Sequence, residues 1–335
     1  MGSNFVRHIY HKYPSYGIYN LDVLTYAGNE DNLLDIENKE APVSPAERRY
    51  HFLRGDVCDA LFLERIFNKY NFQFVVHFAA ETHVDRSIFN FSDFVRTNID
   101  GTRALMEAAR RHSVPRFIHI STDEVYGNVP EGFSHEDTPL RPSNPYSASK
   151  AGADLLVQAM MKTYKIPAII IRGSNNFGPY QYPEKLIPMA ISNLIEGKKI
   201  PIHGSGGHVR SWIHVEDFCR AVDLIMHKAP DYAVYNVAGD LMTNLQVLKL
   251  IADELKKNLD DHKEHTADRP SADSRYAVDS SKLKSELGWS RIHSPHASMA
   301  SVVDWYLTNK NWWQKIKSKK EYLDHYEKQS KAQWY

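Results

Sequence analysis

The sequence has little of what marks secreted, membrane or nucleic-acid-binding proteins. Only two cysteines occur in 335 residues, too few for a disulfide scaffold and typical of a reducing compartment. Lysine plus arginine and aspartate plus glutamate both total 41, so no net charge favours nucleic acid or a membrane surface. No apolar run reaches the roughly 18 to 20 residues of a membrane span, and no secretory signal is recognisable. These absences predict a soluble, cytoplasmic protein.

Short apolar runs alternate with longer helical patterns through the first half of the chain. The patterns predict strands at 17–21, 50–53, 74–78, 116–120 and 168–171. They predict helices at 1–13, 59–70, 92–112 and 144–164. Strands that alternate with long helices are typical of βαβ units. The predicted fold class is therefore α/β, with a mostly parallel, doubly wound sheet.

Two acids directly follow the apolar run at 116–120. Thr122, Asp123 and Glu124 come just after the predicted strand. In open α/β sheets, ligands bind at the carboxyl ends of the strands, so these side chains are candidates for a site. The alternative interpretation is an ordinary turn with solvated carboxylates.

Tyr146 and Lys150 lie near the start of the predicted helix at 144–164. Their i, i+4 spacing places both side chains on one helical face. An ammonium beside a phenol favours the phenolate, which would lower a pKa of ~10 toward neutrality and create a base. The spacing alone indicates little, because Tyr and Lys are common on helices. Together with the acid pair it is far more specific.

Aspartates also end two earlier strands. Asp22 follows the strand at 17–21, where an acid can accept both hydroxyls of an adenosine ribose. Asp56 follows the strand at 50–53 and could face an adenine amino group. The alternative is that each aspartate only caps the next helix or turn.

Eight stretches over nearly the whole chain carry a family resemblance. They read LDVLTYAGNEDNL (21–33), GDVCD (55–59), HFAAETHVDRSI (77–88), STDEVYG (121–127), NPYSASKAGAD (144–154), RGSNNFGPYQYPEKLIP (172–188), HGSGGHVRSWIHVEDFCRA (203–221) and RYAVD (275–279). With them the sequence resembles the nucleotide-sugar 4,6-dehydratases, a family of extended short-chain dehydrogenases/reductases. The Thr-Asp-Glu at 122–124 is the discriminating piece, because related epimerases and decarboxylases share the Tyr and Lys but lack that acid pair.

The resemblance implies a Rossmann-type, NAD-dependent hydro-lyase that converts dTDP-glucose to dTDP-4-keto-6-deoxyglucose. Tyr146, assisted by Lys150, would take the proton of the sugar 4-hydroxyl while hydride passes from C4 to NAD. Glu124 would then remove the C5 proton, and Asp123 would protonate the departing C6 hydroxyl. Hydride would return to C6, and Thr122 would orient the substrate. Burial and like-charge repulsion separate the pKa values of two adjacent carboxyls, as this chemistry requires.

The resemblance also assigns residues to the cofactor and the substrate. NAD is implied to contact Asp22, Thr25, Tyr26, Gly28, Asp56, Val57, Ala79, Ala80, Glu81, Thr97, Tyr146, Lys150 and Asn176. The nucleotide sugar is implied to contact His83, Ser87, Thr122, Asn175, Lys185, Leu186, Arg210, Asn244, Arg269 and Tyr276. Lys185 and Arg210 suit a diphosphate, although without the surrounding motif each would be interpreted as a solvated surface charge.

Two segments depart from the family pattern. Family members begin with an apolar strand and a G-x-x-G-x-x-G turn, whereas this sequence starts at the last glycine, with residues 1–6 reading MGSNFV. That strand is central and its turn presents N–H groups to the pyrophosphate, so we expect an N-terminally truncated chain that folds poorly or binds NAD weakly. In the loop at 268–276, Ser271 and Ala272 replace Gly-His and Ser274 replaces Arg. A UDP sugar is therefore an alternative substrate.

By analogy with the family, the chain divides into three parts. Residues 1–175 are expected to form the NAD-binding domain, lacking its first strand, and 176–308 a substrate-binding lobe that returns to the main sheet. Residues 309–335 are expected to form a helical tail. The helices at 92–112 and 144–164 match those that pair in the family's dimer, so a homodimer is expected.

Two further patterns are weaker. The 17 histidines show no spacing typical of a metal site, so no metal is predicted. The glycine-rich stretch at 204–207 leads into a strand pattern rather than a helix, so a hairpin turn is preferred to a phosphate loop.

The sequence leaves three functions open. The acid pair favours an active 4,6-dehydratase and argues against another NAD-dependent sugar enzyme, such as an epimerase. The absent glycine turn supports a non-catalytic chain.

Overall fold

Runs rich in β-branched and aromatic residues form the strands, and amphipathic segments between them form the helices. The computed structural model describes residues 1–334. The strands are β1 (Ile18–Asp22), β2 (Tyr50–Arg54), β3 (Phe74–His77), β4 (Arg116–Thr122), β5 (Ala168–Gly173), β6 (Asn175–Phe177), β7 (Ile200–His203), β8 (Val209–His214), β9 (Val234–Val237), β10 (Asp240–Thr243) and β11 (Lys263–Thr266). The helices are α1 (Gly2–Lys12), α2 (Leu34–Glu40), α3 (Ala60–Lys69), α4 (Val84–Phe89), α5 (Phe91–Phe94), α6 (Gly101–Arg111), α7 (Pro145–Tyr164), α8 (Leu186–Glu196), α9 (Val215–Lys228), α10 (Asn244–Glu254), α11 (Ser281–Leu287), α12 (Pro295–Thr308), α13 (Lys310–Lys317) and α14 (Lys320–Ser330).

The predicted α/β class is confirmed by a parallel sheet with the strand order β3-β4-β5-β9. Alternate residues of β4 belong to two different hydrophobic cores, as the period of two along a strand requires. Phe117 packs with residues of α6 and α7, whereas Ile118 and Ile120 pack with Phe218 and other residues of α9. Helices therefore cover both faces of the sheet, and its strands are buried.

The sheet is interrupted between β1 and β3. Strand β1 pairs in parallel with β2, and β3 pairs with β4, but no strand formed by residues 1–334 lies between β1 and β3. Ile18, Asn20, Phe74 and Val76 from the two facing edges line one large cavity. The sequence predicts that a strand is missing beside the one that carries Asp22. The gap lies beside that strand, β1.

The C-terminal half builds a second core. Two small sheets, β10-β8-β6 and β11-β7, pack with α8, α10 and α12 around Trp212, Leu248 and Trp313. Strand β9 returns to the main sheet beside β5. The predicted hairpin at 204–207 is wrong: β7 pairs with β11, and β8 pairs with β10 and β6, because residues far along the chain supply better partners.

The predicted helix at 92–112 is interrupted. A π-helical turn, Val95–Asp100, separates α5 from α6. Such turns are uncommon and are frequent near functional sites. Within residues 1–334, no helix combines the length and apolar character needed to cross a membrane.

Candidate active site

The acid pair lies in a short, tightly held turn at the carboxyl end of β4. Thr122 ends the strand, and its Oγ1 accepts a 3.3 Å hydrogen bond from the Glu124 N–H. The 3₁₀ turn Asp123–Tyr126 ends at Gly127, whose φ is +73°. A Cβ at Gly127 would lie 2.0 Å from the carbonyl oxygen of Arg141, so only glycine fits there. The backbone therefore fixes both carboxyls at the strand end.

The two carboxyls have different electrostatic surroundings. Burial and the neighbouring Glu124 raise the pKa of Asp123 to about 8. Burial also raises the pKa of Glu124, but Arg210, Lys185 and Arg269 oppose that shift. At neutral pH Asp123 therefore keeps its proton, and Glu124 is the carboxyl that the nearby cations help to ionise. Asp123 Oδ2 and Glu124 Oε2 are buried and have no hydrogen-bond partner among residues 1–334.

Helix α7 starts at the same edge of the sheet. Asn144 caps it through a 2.9 Å hydrogen bond from the Ser147 N–H, and Pro145 takes the first helical position. The Tyr146 N–H donates a 3.1 Å hydrogen bond to Ser87 Oγ. Ser87 is fully buried, so the structure places this predicted substrate residue behind Tyr146, where it holds the backbone of α7.

Lys150 does not lower the pKa of Tyr146 as the i, i+4 spacing predicted. Burial, followed by the negative charge of Glu124, raises the pKa of Tyr146 well above its usual value. The Lys150 ammonium is buried and donates a 2.8 Å hydrogen bond to the Ile120 carbonyl. Desolvation of the phenol and the charge of Glu124 therefore raise the pKa of Tyr146, in contrast to the lowering that the spacing predicted.

One cavity of about 1510 Å³ connects the strand ends. It contains most of the residues predicted to bind NAD, together with the predicted catalytic residues. The predicted residues that line it are Asp22, Thr25, Gly28, Asp56, Val57, Ala79, Ala80, Glu81, Thr97, Thr122, Asp123, Glu124, Tyr146, Lys150, Asn175, Asn176 and Lys185. Asp22 Oδ1 accepts a 2.7 Å hydrogen bond from the Leu24 N–H, and Asp56 Oδ2 lies 2.5 Å from Arg96 Nη2.

Tyr26 is the predicted cofactor residue that does not line the cavity. Its hydroxyl donates a 2.9 Å hydrogen bond to Glu184, and its ring lies 3.5 Å from the Arg86 guanidinium carbon. Arg86 Nε in turn donates to Glu184 at 2.9 Å. Tyr26 thus belongs to a buried charged cluster next to the site, and nothing in the local sequence indicated that contact.

The remaining predicted substrate residues do not line the cavity. They are His83, Ser87, Leu186, Arg210, Asn244, Arg269 and Tyr276. Arg210 lies 4.3 Å over the Tyr276 ring, and its charge opposes the rise that burial causes in the pKa of both acids. Arg269 acts on Glu124 in the same direction. These two arginines therefore belong to the electrostatic surroundings of the acid pair.

Three buried side chains near the site were missed from the sequence. Asn98, in the π-helical turn, accepts from the Glu81 N–H at 2.9 Å and donates to Ser149 at 2.8 Å, which joins the turn after β3 to α7. Asp154 accepts a 2.8 Å hydrogen bond from Arg172 Nε, and both side chains are buried. Asp154 follows Lys150 by one helical turn, and that spacing was the one available signal.

Two groups of metal-capable side chains come together within residues 1–334, although the sequence showed no metal spacing. They are His83, Glu184 and His325, and His214, Glu216 and His293. In the first group Glu184 already accepts hydrogen bonds from Tyr26 and Arg86. Burial lowers the pKa of His83, and the positive charges of nearby side chains lower it further. That positive surrounding disfavours a further cation.

A parallel sheet that presents an acid pair beside a Tyr-x-x-x-Lys helix defines an extended short-chain dehydrogenase/reductase. Residues 1–300 match the family model described as GDP-mannose 4,6 dehydratase. A dTDP-glucose 4,6-dehydratase from Streptomyces niveus is 43% identical over 305 residues, covering 90% of this chain and 87% of that protein. The chain belongs to the family of nucleotide-sugar 4,6-dehydratases.

Solved structures agree with this assignment. The crystal structure of DesIV, a dTDP-glucose 4,6-dehydratase from Streptomyces venezuelae with NAD bound, has a TM-score of 0.87 at 40% identity. The NAD complex of the dTDP-glucose 4,6-dehydratase from Bacillus anthracis has a TM-score of 0.85 at 38% identity. Each comparison covers 94% of this chain and 96% of the other.

Proposed function

We propose that this chain catalyses the 4,6-dehydration of dTDP-glucose with NAD as its cofactor. The observation that carries the proposal is the pair formed by buried Asp123 and half-buried Glu124, which line the same cavity as Tyr146. Dehydration needs an acid for the departing hydroxyl and a base for the C5 proton, in addition to a group that serves the 4-hydroxyl. Epimerisation at C4 has no use for the acid pair. The related dTDP-glucose dehydratases support the substrate.

The residues around β1 and α1 fit a dinucleotide. Asp22 uses one carboxylate oxygen for the Leu24 N–H, which leaves the other for ribose hydroxyls. A Cβ at Gly28 would lie 2.4 Å from Leu24 Cα, so the loop after β1 needs glycine for its close turn. The first turn of α1 has no side-chain cap, and Gly2 and Ser3 line the cavity, so their N–H groups suit a pyrophosphate.

When bound, NAD would supply the hydride acceptor for C4 and the hydride donor for C6, and the positive charge of its nicotinamide ring would favour the Tyr146 phenolate. Tyr146 takes the proton of the 4-hydroxyl, and the Thr122 hydroxyl lowers the pKa of that phenol. Glu124 removes the C5 proton, made acidic by the C4 ketone. Asp123, whose pKa of about 8 keeps it protonated at neutral pH, protonates the departing C6 oxygen.

We assign the diphosphate of the substrate to the cations around Glu124. Lys185 lines the cavity, and its Nζ donates a 2.9 Å hydrogen bond to the Thr82 carbonyl. Arg210 is held over Tyr276 and donates a 2.9 Å hydrogen bond to the Asp273 carbonyl. Held guanidinium and ammonium groups are the usual partners of phosphate oxygens.

The test is a mass-spectrometric assay of purified protein with NAD and dTDP-glucose. We expect loss of one water from the sugar, and in D₂O one deuterium at C5. Glu124→Gln should abolish both changes, whereas Asp123→Asn should retain exchange at C5 and slow the loss of water. Loss of water from UDP-glucose alone would change the assigned substrate, and epimerisation without loss of water would overturn the proposal.

A non-catalytic chain is the alternative, and the gap between β1 and β3 is the observation that favours it. Two strands that lack a ladder partner on one edge hold the cofactor cavity less firmly. Absence of NAD binding in a titration of the purified protein would support this alternative. NAD binding without turnover of either nucleotide sugar would do the same.

We further propose a cytoplasmic homodimer with the division into 1–175, 176–308 and 309–335 expected above. Both cysteines are unpaired, in keeping with a reducing compartment. Leu155 on α7 is 57% exposed, so this apolar side chain is available to pack against a second copy. Sedimentation velocity should show a dimer that Leu155→Glu converts to a monomer. A wild-type monomer would contradict the dimer.

A further inference from the structure

The C-terminal helix α14 joins the site through one buried carboxylate. Asp85, on α4, is fully buried and accepts a 2.7 Å hydrogen bond from Gln329 Nε2. The same carboxylate pairs with Arg269, whose Nη2 donates at 3.2 Å and whose Nε lies 2.5 Å from Oδ1. Gln329 is only 2% exposed. Gln329 thus contacts an acid 244 positions earlier in the chain, and the same acid holds Arg269, a predicted substrate residue.

The residues after α14 contact the same loop from another direction. Trp334 Nε1 donates a 3.1 Å hydrogen bond to the carbonyl of Asp268, the residue before Arg269. The Trp334 ring lies 5.3 Å from the His203 ring and 6.1 Å from the Phe89 ring. The backbone of Arg269 is therefore restrained from one side by Trp334, and its guanidinium is restrained from another by Asp85.

Helix α14 also packs against the predicted substrate residue His83. The His325 and His83 rings meet edge to face at 5.0 Å, and both side chains are buried. The His325 Nε2 lies 3.8 Å from Glu184 Oε2. Gln329 and His325 are four residues apart, so one face of a single helix carries both contacts.

The arrangement leaves Arg269 free to bind an anion. Its side chain is 30% exposed, and Nη1 makes no hydrogen bond to any residue in 1–334. Burial raises the pKa of Glu124, and the charge of Arg269 is near enough to oppose that rise. A guanidinium held in place by a carboxylate loses less conformational freedom when it binds a phosphate than a free one does.

We propose that α14 and Trp334 position Arg269 for the diphosphate of the nucleotide sugar, with Gln329 acting through Asp85. The inference rests on the proposed function. Gln329 is a positioning residue: it contacts neither substrate nor cofactor, and its effect reaches the ligand through Arg269. The C-terminal helix therefore sets the affinity for the nucleotide and leaves the chemical steps unchanged.

The experiment measures binding of dTDP to the NAD-loaded protein by calorimetry, together with KM and kcat. Gln329→Ala should raise the dTDP dissociation constant and KM about tenfold, the loss expected for one hydrogen bond to a charged group. The value of kcat and the NAD content should stay within about twofold of the wild type. Trp334→Ala should act in the same direction. Leu323→Ala, at a position on α14 that is 51% exposed, is the matched control and should change neither constant.

A double-mutant cycle distinguishes positioning from general stability. In an Arg269→Ala background, adding Gln329→Ala should cause no further loss of dTDP affinity, because the residue it acts through is gone. Unchanged dTDP affinity in Gln329→Ala, or a full additional loss in the Arg269→Ala background, would overturn the inference. A wild-type protein that binds neither dTDP nor UDP would instead overturn the proposed function, and the inference with it.

Discussion

The ammonium of Lys150 donates a 2.8 Å hydrogen bond to the backbone carbonyl of Ile120, in the strand that ends at the acid pair. The side chain is 4% exposed, and burial lowers the pKa of its amine to about 8. Helix α7 and strand β4 are therefore joined by a cation that is costly to keep charged.

Lys150→Met should separate activity from stability. The folded pKa of about 8 lies below an unfolded value of ~10.4, so the buried amine destabilises the fold at every pH below that range. We expect kcat to fall at least ~100-fold and the melting temperature at pH 7 to rise. Lys162→Met, at an exposed position on the same helix, is the control. A lower melting temperature for Lys150→Met would show that the bond to Ile120 outweighs the burial of charge.

Asp123→Asn should change how stability depends on pH. The folded pKa of Asp123, about 8, lies above its unfolded value of ~3.9, so the folded state holds the extra proton between them. The wild type should therefore lose stability as pH rises through that interval. Urea denaturation at pH 5, 7 and 9 should show that the free energy of unfolding of the variant increases relative to that of the wild type as pH rises. A difference that is constant with pH would contradict a raised pKa at Asp123.

Asp223→Asn should loosen α1 from α9. Asp223 is buried and accepts hydrogen bonds from His8 at 2.8 Å, Lys12 at 2.6 Å and Tyr13 at 2.8 Å. Burial alone would raise its pKa, but these donors lower it well below the usual value. We expect the free energy of unfolding, measured by urea denaturation, to fall by about 2 kcal/mol at pH 7.

The same linkage predicts how that loss depends on pH. A depressed carboxyl pKa contributes stability above ~4 that is lost as pH falls, so the difference between wild type and Asp223→Asn should narrow from pH 5 to pH 3. Asp231→Asn, which removes an exposed partner of Arg116, is the control and should cost less than about 0.5 kcal/mol. Equal losses in the two variants would contradict the role of Asp223.

Filling the gap between β1 and β3 should strengthen both the fold and cofactor binding. An N-terminal extension that carries an apolar strand and a glycine turn could pair with both free edges and present N–H groups to the cavity. We expect a higher melting temperature and tighter NAD binding. A Gly/Ser extension of equal length is the control. Equal NAD affinity in the unextended protein, the strand-extended protein and the Gly/Ser control would show that the gap does not limit binding.

Ser271→Gly should stabilise the loop that precedes Tyr276. Ser271 has a φ of +54°, a left-handed conformation that costs a non-glycine residue about 1 kcal/mol. Glycine adopts it without strain, so we expect a gain of at most about 1 kcal/mol in denaturant unfolding. Ser113→Gly, at φ +50°, is a comparison site far from the loop. A loss of stability at Ser271 alone would show that its side chain is needed there.

The sequence predicted the fold class and most of the cavity because both depend on local patterns. Apolar runs located β1 to β5 within two residues at each end, and the acids at 123 and 124 were placed correctly at the end of β4. Tyr146 and Lys150 were placed correctly on the helix beside them. Period, turn residues and strand ends are encoded over a few neighbouring positions, so they can be inferred before any contact is known.

The tertiary structure alone decided the charges and the long-range partners. It buried Tyr146 so that its pKa rises, diverted Tyr26 to Glu184, and brought Gln329 to Asp85. Desolvation depends on every atom packed around a group, and a contact between residues hundreds of positions apart leaves no local periodicity. The sequence by itself therefore determined which chemical groups this protein presents at the sheet edge. Packing determined which of them carry a proton and which hold the others in place.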